Sequence, residues 1–308
     1  MRIYHNIDEF KVLDKAIVTI GTFDGVHIGH SKIISGIKEL AKQSGGETVL
    51  LTFFPHPRMI LHPEDETIKL INTIGEKAKL LEELGIDHLI ITPFTRDFSN
   101  QDAESYVRDI LVNKIGTKKI VIGYDHRFGK DRVGGLDTLL RLAPVYGFEV
   151  VEIPEQDIHE VAVSSTRIRN ALLKGDIRLA NEYLGYPFFV SGYVGRGDQI
   201  GRQIGYPTAN IIIEEGYKLI PADGIYAVMV KLEGGMYNGM GYIGTRPTLN
   251  GISRNIEVNL FDFNRDIYGQ QISMEFHNFV REDIKFTSLA ELTDQLAKDK
   301  IEVMTLLR

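Results

Sequence analysis

The feature that most constrains the fold is an alternation of short apolar runs with helical patterns over residues 16–183. The runs Val49–Phe54, Leu89–Ile91 and Ile120–Ile122 are apolar at nearly every position, and segments with helical spacing separate them. Strands that are apolar on both faces and are separated by helices are typical of a parallel sheet covered on both sides. The pattern therefore predicts a doubly wound α/β domain, which binds its ligands at the carboxyl ends of the strands.

The second half of the chain has a different pattern. Over residues 188–279 the apolar runs are short and partly alternating, and glycine and proline interrupt them. Many short strands at fairly regular spacing predict an antiparallel barrel or sandwich. Residues 288–307 then have the spacing of an amphipathic helix, with Ser288 and Glu291 in the positions of a capping box.

Length and composition limit the class of protein. A chain of 308 residues fits roughly two domains, and we place the boundary near Gly185, between residues 1–184 and 185–308. The net charge of −7 argues against a general nucleic-acid or anionic-membrane binder, and the lack of cysteine excludes a thiolate zinc site and a cysteine nucleophile. No apolar run approaches the length of a membrane span, and no signal pattern is visible, so we expect a cytoplasmic enzyme.

The first apolar run, Ile17–Ile20, leads into a turn that contains three glycines and two histidines and precedes a segment with helical spacing. The spacing His27-x-Gly-His30 allows both rings to point at one position just outside a helix N-terminus. Backbone N–H groups and the helix dipole favour an anion at that position. Either histidine alone would be interpreted as a surface loop residue, but the pair in this frame indicates a phosphate site.

Two further clusters belong to the same domain. Residues 123–130 read GYDHRFGK, an aromatic and polar loop that two glycines frame. Residues 163–169 read VSSTRIR, in which Ser164 or Ser165 is a good helix N-cap. A cap accounts for one serine and leaves the other hydroxyls and the two arginines unexplained. Hydroxyls, free backbone N–H groups and guanidinium groups in one place suit a triphosphate.

Together these clusters resemble the nucleotidyltransferases that carry His-x-Gly-His near the N-terminus and Ser-Ser-Thr-x-x-Arg near the end of the domain. More narrowly, GTFDGVHIGH, YDHRFG and SSTRIR resemble the adenylyltransferase module of bacterial bifunctional riboflavin kinase/FAD synthetases. This resemblance implies a Rossmann-like nucleotidyltransferase domain with a parallel sheet.

Motifs in the second half resemble riboflavin kinases. The segment GYPTAN at residues 205–210 is similar to the Gly-Phe-Pro-Thr-Ala-Asn motif of that family, with Tyr206 in place of the usual Phe. The segments 243–248 and 257–269 resemble later motifs of the family. The match covers essentially the whole chain in the expected order, and it implies a riboflavin kinase-like antiparallel β-barrel with a terminal helix.

For the first domain, the resemblance implies attack of an FMN phosphate oxygen on the α-phosphorus of ATP, which releases pyrophosphate and forms FAD. His27 and His30 would bind the ATP phosphates and stabilise the transition state. On the flavin side the implied residues are Asp125, Phe128 and Gly129. The rest of the implied ATP and phosphate site consists of Gly21, Phe23, Gly25, Gly29, Ser164, Ser165, Thr166 and Arg167. Asp24 stays open between a structural turn residue and a site residue.

For the second domain, the resemblance implies transfer of the γ-phosphoryl group of ATP to the 5′-hydroxyl of riboflavin. Glu257 would accept the hydroxyl proton, whereas the alternation of its strand alone favours a glutamate on a solvated face. Thr208 and Asn210 would bind magnesium and phosphate, because hydroxyl and amide oxygens are hard donors. The remaining implied residues are Gly205 and Pro207 at the ATP phosphates and Arg246 at the flavin, although Arg246 is also suited to anchoring its loop.

Three hypotheses follow for the whole chain. The first is a bifunctional enzyme with Mg²⁺ as cofactor, ATP as co-substrate, and riboflavin, FMN and FAD as its other small-molecule partners. The second keeps one module active, and the third is a flavin- or nucleotide-binding regulator without turnover. The presence of His27, His30 and Glu257 favours the first. We expect neither nucleic acid nor a membrane as partner, and the sequence leaves the oligomeric state open.

Overall fold

The computed structural model describes residues 1–65, 67–123, 126–153, 163–197, 200–248 and 251–308. By its internal contacts the chain forms two compact units, Met1–Ser164 and Ser165–Arg308. This division lies one helical hairpin before the boundary that the sequence predicts near Gly185. The reason is that the hairpin packs within the second unit, where Asn181 Nδ2 donates a hydrogen bond to the Phe276 carbonyl oxygen at 2.8 Å. The boundary near Gly185 stays a prediction for the division into domains.

The first unit contains one six-stranded sheet in the order β1-β4-β3-β2-β5-β6, and every neighbouring pair of strands is parallel. The predicted parallel α/β domain is therefore confirmed. The sequence did not predict the short edge strand β1. The strands are β1 Arg2–Tyr4, β2 Ala16–Ile20, β3 Glu47–Phe54, β4 His88–Pro93, β5 Thr117–Gly123 and β6 Glu149–Ile153.

The helices of this unit follow the predicted pattern, with one difference in type. One of the segments with helical spacing, from Asp102 to Ile115, begins with one α-helical turn and continues as a π-helix. Asp102 caps it by accepting from the N–H groups of Glu104 and Ser105, and Gly116 ends it with φ 79°. The α-helices are α1 Ile28–Ser44, α2 Pro57–Leu61, α3 Ile74–Glu83, α4 Arg96–Ser99, α5 Ala103–Ser105 with the π-helix Tyr106–Ile115, and α6 Leu136–Tyr146.

The sheet is covered on both faces, as its apolar strands predict. All five residues of β2 are buried. Val18 and Ile20 belong to the apolar cluster on one face, whereas Ile17 packs on the other face with Ile34 and Ile37 of α1. Two apolar clusters on opposite faces fix β2 at the centre of the domain.

The central position of β2 determines where a ligand can bind. The chain passes from β2 to β3 on one side of the sheet and later reaches β5 on the other side. Connections that leave two adjacent strands in opposite directions open a crevice at their carboxyl ends. The loops that begin at Gly21 and after Gly123 therefore border the crevice of this domain.

The second unit is a closed barrel with the strand order β10-β11-β8-β7-β12-β9, in which all pairs are antiparallel. This result selects the barrel over the sandwich. The strands are β7 Phe189–Gly195, β8 Ala209–Ile212, β9 Gly224–Leu232, β10 Gly235–Thr248, β11 Gly251–Leu260 and β12 Gln271–Arg281, and the helices are α7 Ser165–Leu173, α8 Ile177–Leu184, α9 Ile200–Gln203 and α10 Leu289–Leu306.

Residues 166–183, which have helical spacing, do not form one continuous helix. They form the hairpin of α7 and α8, because Gly175 adopts φ 76° and Asp176 caps the second helix. Ser288 caps α10 as predicted, and the Glu291 carboxylate also accepts from the backbone N–H and the hydroxyl of Thr287. None of the helices in the described residues is long and apolar enough to cross a bilayer.

Candidate active sites

His27 is the N-cap of α1, and this contact sets the tautomer of its ring. Its Nδ1 accepts a long hydrogen bond of 3.4 Å from the His30 backbone N–H. An accepting Nδ1 carries no proton, so the neutral ring carries its proton on Nε2. His27 can therefore donate one hydrogen bond from Nε2 beside the first turn of α1, whose own N–H groups lack intrahelical partners.

The two histidines form one cluster. Their ring centroids are 3.6 Å apart and the rings are nearly parallel, at 17°. Burial lowers the pKa of His27 to about 4, although the Asp24 carboxylate acts in the opposite direction. Burial, followed by His27 and Lys77, lowers the pKa of His30 well below its ordinary value. Both rings are therefore neutral at pH 7, and His30 Nδ1 is buried without a hydrogen-bond partner in the described part of the chain.

The turn between β2 and α1 has an unusual backbone. Phe23 adopts φ 45°, Gly25 adopts φ 91° and Val26 adopts φ 38°. A left-handed conformation costs a non-glycine residue about 1–3 kcal/mol, and it is a genuine outlier for a β-branched residue such as Val26. The Asp24 carboxylate holds the turn by accepting from the backbone N–H groups of Ile71 at 2.9 Å and Asn72 at 3.5 Å. Asp24 is thus a structural residue of the turn.

The structure brings the predicted residues of this turn together. Phe23 is buried, and its ring centroid lies 4.8 Å from that of His30. Gly21 lies against Phe23, since a Cβ atom at Gly21 would come within 3.0 Å of the Phe23 ring. Gly29 is buried in the first turn of α1. The glycines of the motif therefore serve close packing around the histidine pair.

The Ser-Ser-Thr motif lies at the division between the two units. Ser164 ends the first unit, and Ser165, Thr166 and Arg167 form the first turn of α7 in the second unit. The predicted helix start at these hydroxyls is confirmed. Their approach to the phosphates of ATP stays a prediction.

The loop after β5 contributes to an aromatic cluster on the same face of the sheet as Val18. The Phe128 ring lies 5.5 Å from Tyr106 and 5.8 Å from His126. Burial raises the pKa of Tyr106, and its buried hydroxyl has no hydrogen-bond partner among the described residues. Gly129 has φ 72° and packs on the Ala103 backbone, so its place is set by a close approach. Asp125 lies outside the described residues.

In the barrel, a carboxylate and a hydroxyl meet across two strands. The Thr208 hydroxyl donates to Glu257 Oε2 at 2.7 Å, and the Asn255 amide donates to Glu257 Oε1. Asn210 on β8 pairs with Glu257 on β11 in the register of the sheet. Glu257 is only 8% exposed, so the interpretation of a solvated-face glutamate is wrong. Residues 256–260 of its strand are all buried.

Two cavities adjoin this cluster. One has a volume of about 300 Å³, includes Thr208, Asn210 and Glu257, and is otherwise mainly apolar, with Met240 and Phe286 among its lining residues. The other, of about 500 Å³, is more polar and is lined by Gly205, Pro207, Lys300 and the loop after β11. Tyr206 and Asn259 line both cavities. The barrel thus offers an apolar cavity that includes Glu257 and a polar cavity that shares Tyr206 and Asn259 with it.

Two predicted roles in the barrel stay predictions: the flavin contact of Arg246 and metal binding by Thr208 and Asn210. The Arg246 backbone lies in β10 and pairs with Ser253, but its side chain lies outside the described residues. Metal binding by Thr208 and Asn210 rests on their oxygen atoms alone. Within the described part of the chain, no group of three histidine, cysteine, aspartate or glutamate residues could hold a metal ion.

Sequence reasoning missed two residues of the first unit. Lys77 lies close enough to His30 to lower the pKa of its ring, and Tyr106 lies in the aromatic cluster. The signal for Lys77 is its position on α3 one turn before the buried Leu81, where a core-facing helix normally has an apolar residue. No comparable signal marks Tyr106, because an aromatic residue at helical spacing is ordinarily part of a core.

The pKa of His27 predicts a pH dependence of stability. The pKa is about 4 in the folded chain and 6.5 at its ordinary value, so between these pH values the unfolded chain binds more protons. We therefore expect the first unit to lose stability as the pH falls from 6.5 to 4, by about 3 kcal/mol for His27 at about 1.4 kcal/mol per pKa unit. Calorimetry against pH, with hydrogen exchange of the β2 amides to assign the transition, measures this slope.

The matched variant for this prediction is His27→Asn, because asparagine keeps an N-cap acceptor without a titrating ring. It should flatten the slope, whereas the exposed His5→Asn should leave it unchanged. Equal slopes in the wild type and His27→Asn would contradict the assignment.

A neutral imidazole pair lies at the switch point of a parallel sheet, and a buried carboxylate–hydroxyl pair lines the apolar cavity of a barrel. Residues 9–167 match the FAD synthetase family, and residues 184–307 match the riboflavin kinase family. These family matches of the two domains make the chain an enzyme of phosphoryl and nucleotidyl transfer. The chain belongs to the family of bifunctional riboflavin kinase/FMN adenylyltransferases. It is therefore a bifunctional enzyme that carries both domains of flavin nucleotide synthesis.

Curated relatives of this description support both domains. The relative from Bacillus subtilis is 37% identical over 94% of this chain and 92% of its own length. The relative from Escherichia coli K12 is 35% identical over 96% of this chain and 94% of its own length. A solved structure described as a macrolide-efflux protein from Streptococcus pneumoniae has 31% identity and a TM-score of 0.89, over 98% of each chain. Efflux is said of that protein alone, whereas both matching families of this chain describe flavin nucleotide synthesis.

Proposed function

We propose that Glu257 and its neighbours carry riboflavin phosphorylation, and that His27 and His30 carry the adenylylation of FMN. The observation that supports this division most strongly is the Thr208–Glu257 hydrogen bond of 2.7 Å in the apolar cavity, which shares Tyr206 and Asn259 with the polar cavity. Phosphoryl transfer to a hydroxyl is helped by a proton acceptor, and the Glu257 carboxylate in the apolar cavity supplies one.

The apolar cavity suits the isoalloxazine ring of riboflavin. Its walls include Ile225, Met240, Phe286, Leu292 and Leu296. Burial of such a ring against aliphatic and aromatic side chains gives most of the binding energy in sites of this kind. The ribityl chain then extends toward Glu257, whose carboxylate accepts the proton of the 5′-hydroxyl as that oxygen attacks the γ-phosphorus of ATP.

The polar cavity suits the nucleotide. Gly205 and Pro207 supply backbone to the phosphates, and the ammonium group of Lys300 lines the same cavity. The Asn259 amide fixes this loop by donating to the Pro207 carbonyl oxygen at 2.7 Å. We assign Gly205 and Pro207 to the ATP site on these grounds, and Thr208 and Asn210 on the resemblance of their motif to that of riboflavin kinases.

A divalent metal ion fits the same cluster. The oxygens of Thr208 and Asn210 are hard donors, and the adjoining Glu257 carboxylate adds the negative charge that such an ion requires. Mg²⁺ prefers this donor set when substrate phosphates and waters complete its coordination, and it would neutralise charge on the phosphates. The protein residues then orient the hydroxyl and hold its proton.

In the first unit, the two histidines donate hydrogen bonds without carrying charge. The Nε2–H of His27 and one N–H of His30 would contact the phosphates as an FMN phosphate oxygen attacks the α-phosphorus and pyrophosphate leaves. On sequence grounds, Ser164, Ser165, Thr166 and Arg167 at the start of α7 would also bind the phosphates. Phe128 and Gly129, with Asp125 on sequence grounds, complete the proposed flavin contacts of the first unit, whereas Arg246 is proposed on sequence grounds for the flavin site of the barrel. ATP as the common co-substrate supports a cytoplasmic enzyme.

The test is a product analysis. Purified protein with riboflavin, ATP and Mg²⁺ should form FMN first and FAD next, with one pyrophosphate released for each FAD. FMN without FAD would leave the kinase module alone active, and no turnover with retained flavin binding would indicate a regulator. Omitting the divalent ion should stop the first step, which tests the metal assignment separately.

A further inference from the structure

Lys77 is a buried cation beside the phosphate site. It lies on α3 and its side chain is only 3% exposed. Its Nζ donates a hydrogen bond of 2.6 Å to the carbonyl oxygen of Thr22. Lysine is almost never fully buried unless its charge is paired or used. The position of this ammonium therefore indicates a role in the turn that Thr22 belongs to.

The Thr22 carbonyl is the fixed point of that turn. It accepts a second hydrogen bond, of 3.3 Å, from the Thr52 hydroxyl of β3. The next residue, Phe23, has the left-handed φ of 45° and places its ring 4.8 Å from His30. A shift of the Thr22 carbonyl would rotate this peptide, and the Phe23 ring would no longer hold His30 in place.

The charges around Lys77 favour an anion on the side of the histidines. The charged or titratable groups that face it are Asp24 from the turn and His30, with His27 behind it, from α1. The Asp24 carboxylate already accepts from two backbone N–H groups. An ammonium has three donors, and among the described residues the Thr22 oxygen is the one acceptor within hydrogen-bond distance of Nζ. Burial lowers the pKa of Lys77 to about 8, so it still carries its charge at pH 7.

We propose that Lys77 is a positioning residue for adenylyl transfer, whose buried ammonium fixes the Thr22 carbonyl and the left-handed Phe23 turn and thereby places His30 and His27 at the phosphates. The role rests on the function proposed for the two histidines. This role requires a charged side chain long enough to make the short contact with the Thr22 carbonyl oxygen. Lys77 acts through the histidines and does not touch FMN.

The experiment compares Lys77→Met, Lys77→Arg and the exposed Lys79→Met of the same helix in the full-length protein. We measure kcat and KM for ATP in FAD formation from supplied FMN, together with FMN formation from riboflavin. Lys77→Met should lower kcat for FAD formation about 100-fold, the cost of a displacement of about 1 Å at a reacting centre, with KM within about threefold. Lys77→Arg should fall between it and the wild type, since a guanidinium cannot reproduce the 2.6 Å contact. Lys79→Met should match the wild type, and FMN formation should stay unchanged throughout.

Several outcomes would overturn the proposal. One is a Lys77→Met enzyme whose kcat for FAD formation stays within about threefold of the wild type, when the expected loss is about 100-fold. Another is a loss in kcat that appears only together with an equal rise in KM. If Lys77→Met does not fold, Lys77→Arg decides: a kcat about tenfold lower with unchanged KM supports positioning, and a wild-type kcat overturns it. A parallel His30→Ala sample distinguishes failure of the Lys77 proposal from failure of the proposed function. Wild-type FAD formation in that variant would refute the role of the histidine itself.

Discussion

Glu257→Gln should lower the rate of FMN formation from riboflavin and ATP about 1,000-fold, within the range for loss of a general base. FAD formation from supplied FMN should stay within about twofold of the wild type, because His27 and His30 belong to the other unit. The substitution is nearly isosteric, and a glutamine oxygen can still accept from the Thr208 hydroxyl. The loss of rate therefore reports on proton acceptance and charge, because the substitution leaves the packing largely unchanged. Chromatographic separation of riboflavin, FMN and FAD measures both rates.

Glu275→Gln is the matched control, since Glu275 also lies on a barrel strand but is more exposed and lines neither cavity. It should retain both activities. A parallel fall of both activities in Glu257→Gln would contradict two separate sites. Unchanged FMN formation would show that another group accepts the proton.

The strand and helix pattern of the first unit was predictable because parallel strands are buried on both faces. The run from Ile17 to Ile20 is apolar at three of its four positions, and the structure buries all of β2. The π-helix over residues 106–115 was not predictable, because its side-chain periodicity over three turns resembles that of an α-helix. The edge strand Arg2–Tyr4 has too few residues to show a period.

The candidate sites also contain residues that local spacing identifies and one residue that it does not. Two histidines at the start of a helix carry their own local signal, so His27 and His30 were found from their spacing. Glu257 shows the limit of that approach. Its strand alternates as a strand with one solvated face would, yet the Glu257 side chain is buried and lines the apolar cavity. Only the resemblance to riboflavin kinases marked Glu257 as a site residue.

Lys77 and Tyr106 reach their sites through tertiary contacts between separate segments, as in the Lys77–Thr22 hydrogen bond and the Tyr106–Phe128 ring contact. A single sequence records no such contact. What a sequence does contain is the periodic pattern of apolar positions, and a lysine at one of those positions departs from the pattern.

His30→Ala should reduce FAD formation from supplied FMN by about 100- to 1,000-fold, the range for loss of one preorganised donor to a developing charge. FMN formation from riboflavin should continue at the wild-type rate. The His30 ring is buried, stacks on His27 at 3.6 Å and leaves Nδ1 without a protein partner in the described residues. A buried, neutral and unpartnered donor is organised before substrate binds, and its removal therefore acts on the transition state more than on ATP binding.

The measurement that separates these two effects is kcat and KM for ATP in the pyrophosphate-release assay. A donor that acts in the transition state lowers kcat with little change in KM, whereas one that only binds ATP raises KM. The exposed His62→Ala in the same unit should match the wild type. If His30→Ala raised KM alone, His30 would be a ground-state phosphate contact, and the positioning proposed for Lys77 would serve ATP binding instead of adenylyl transfer.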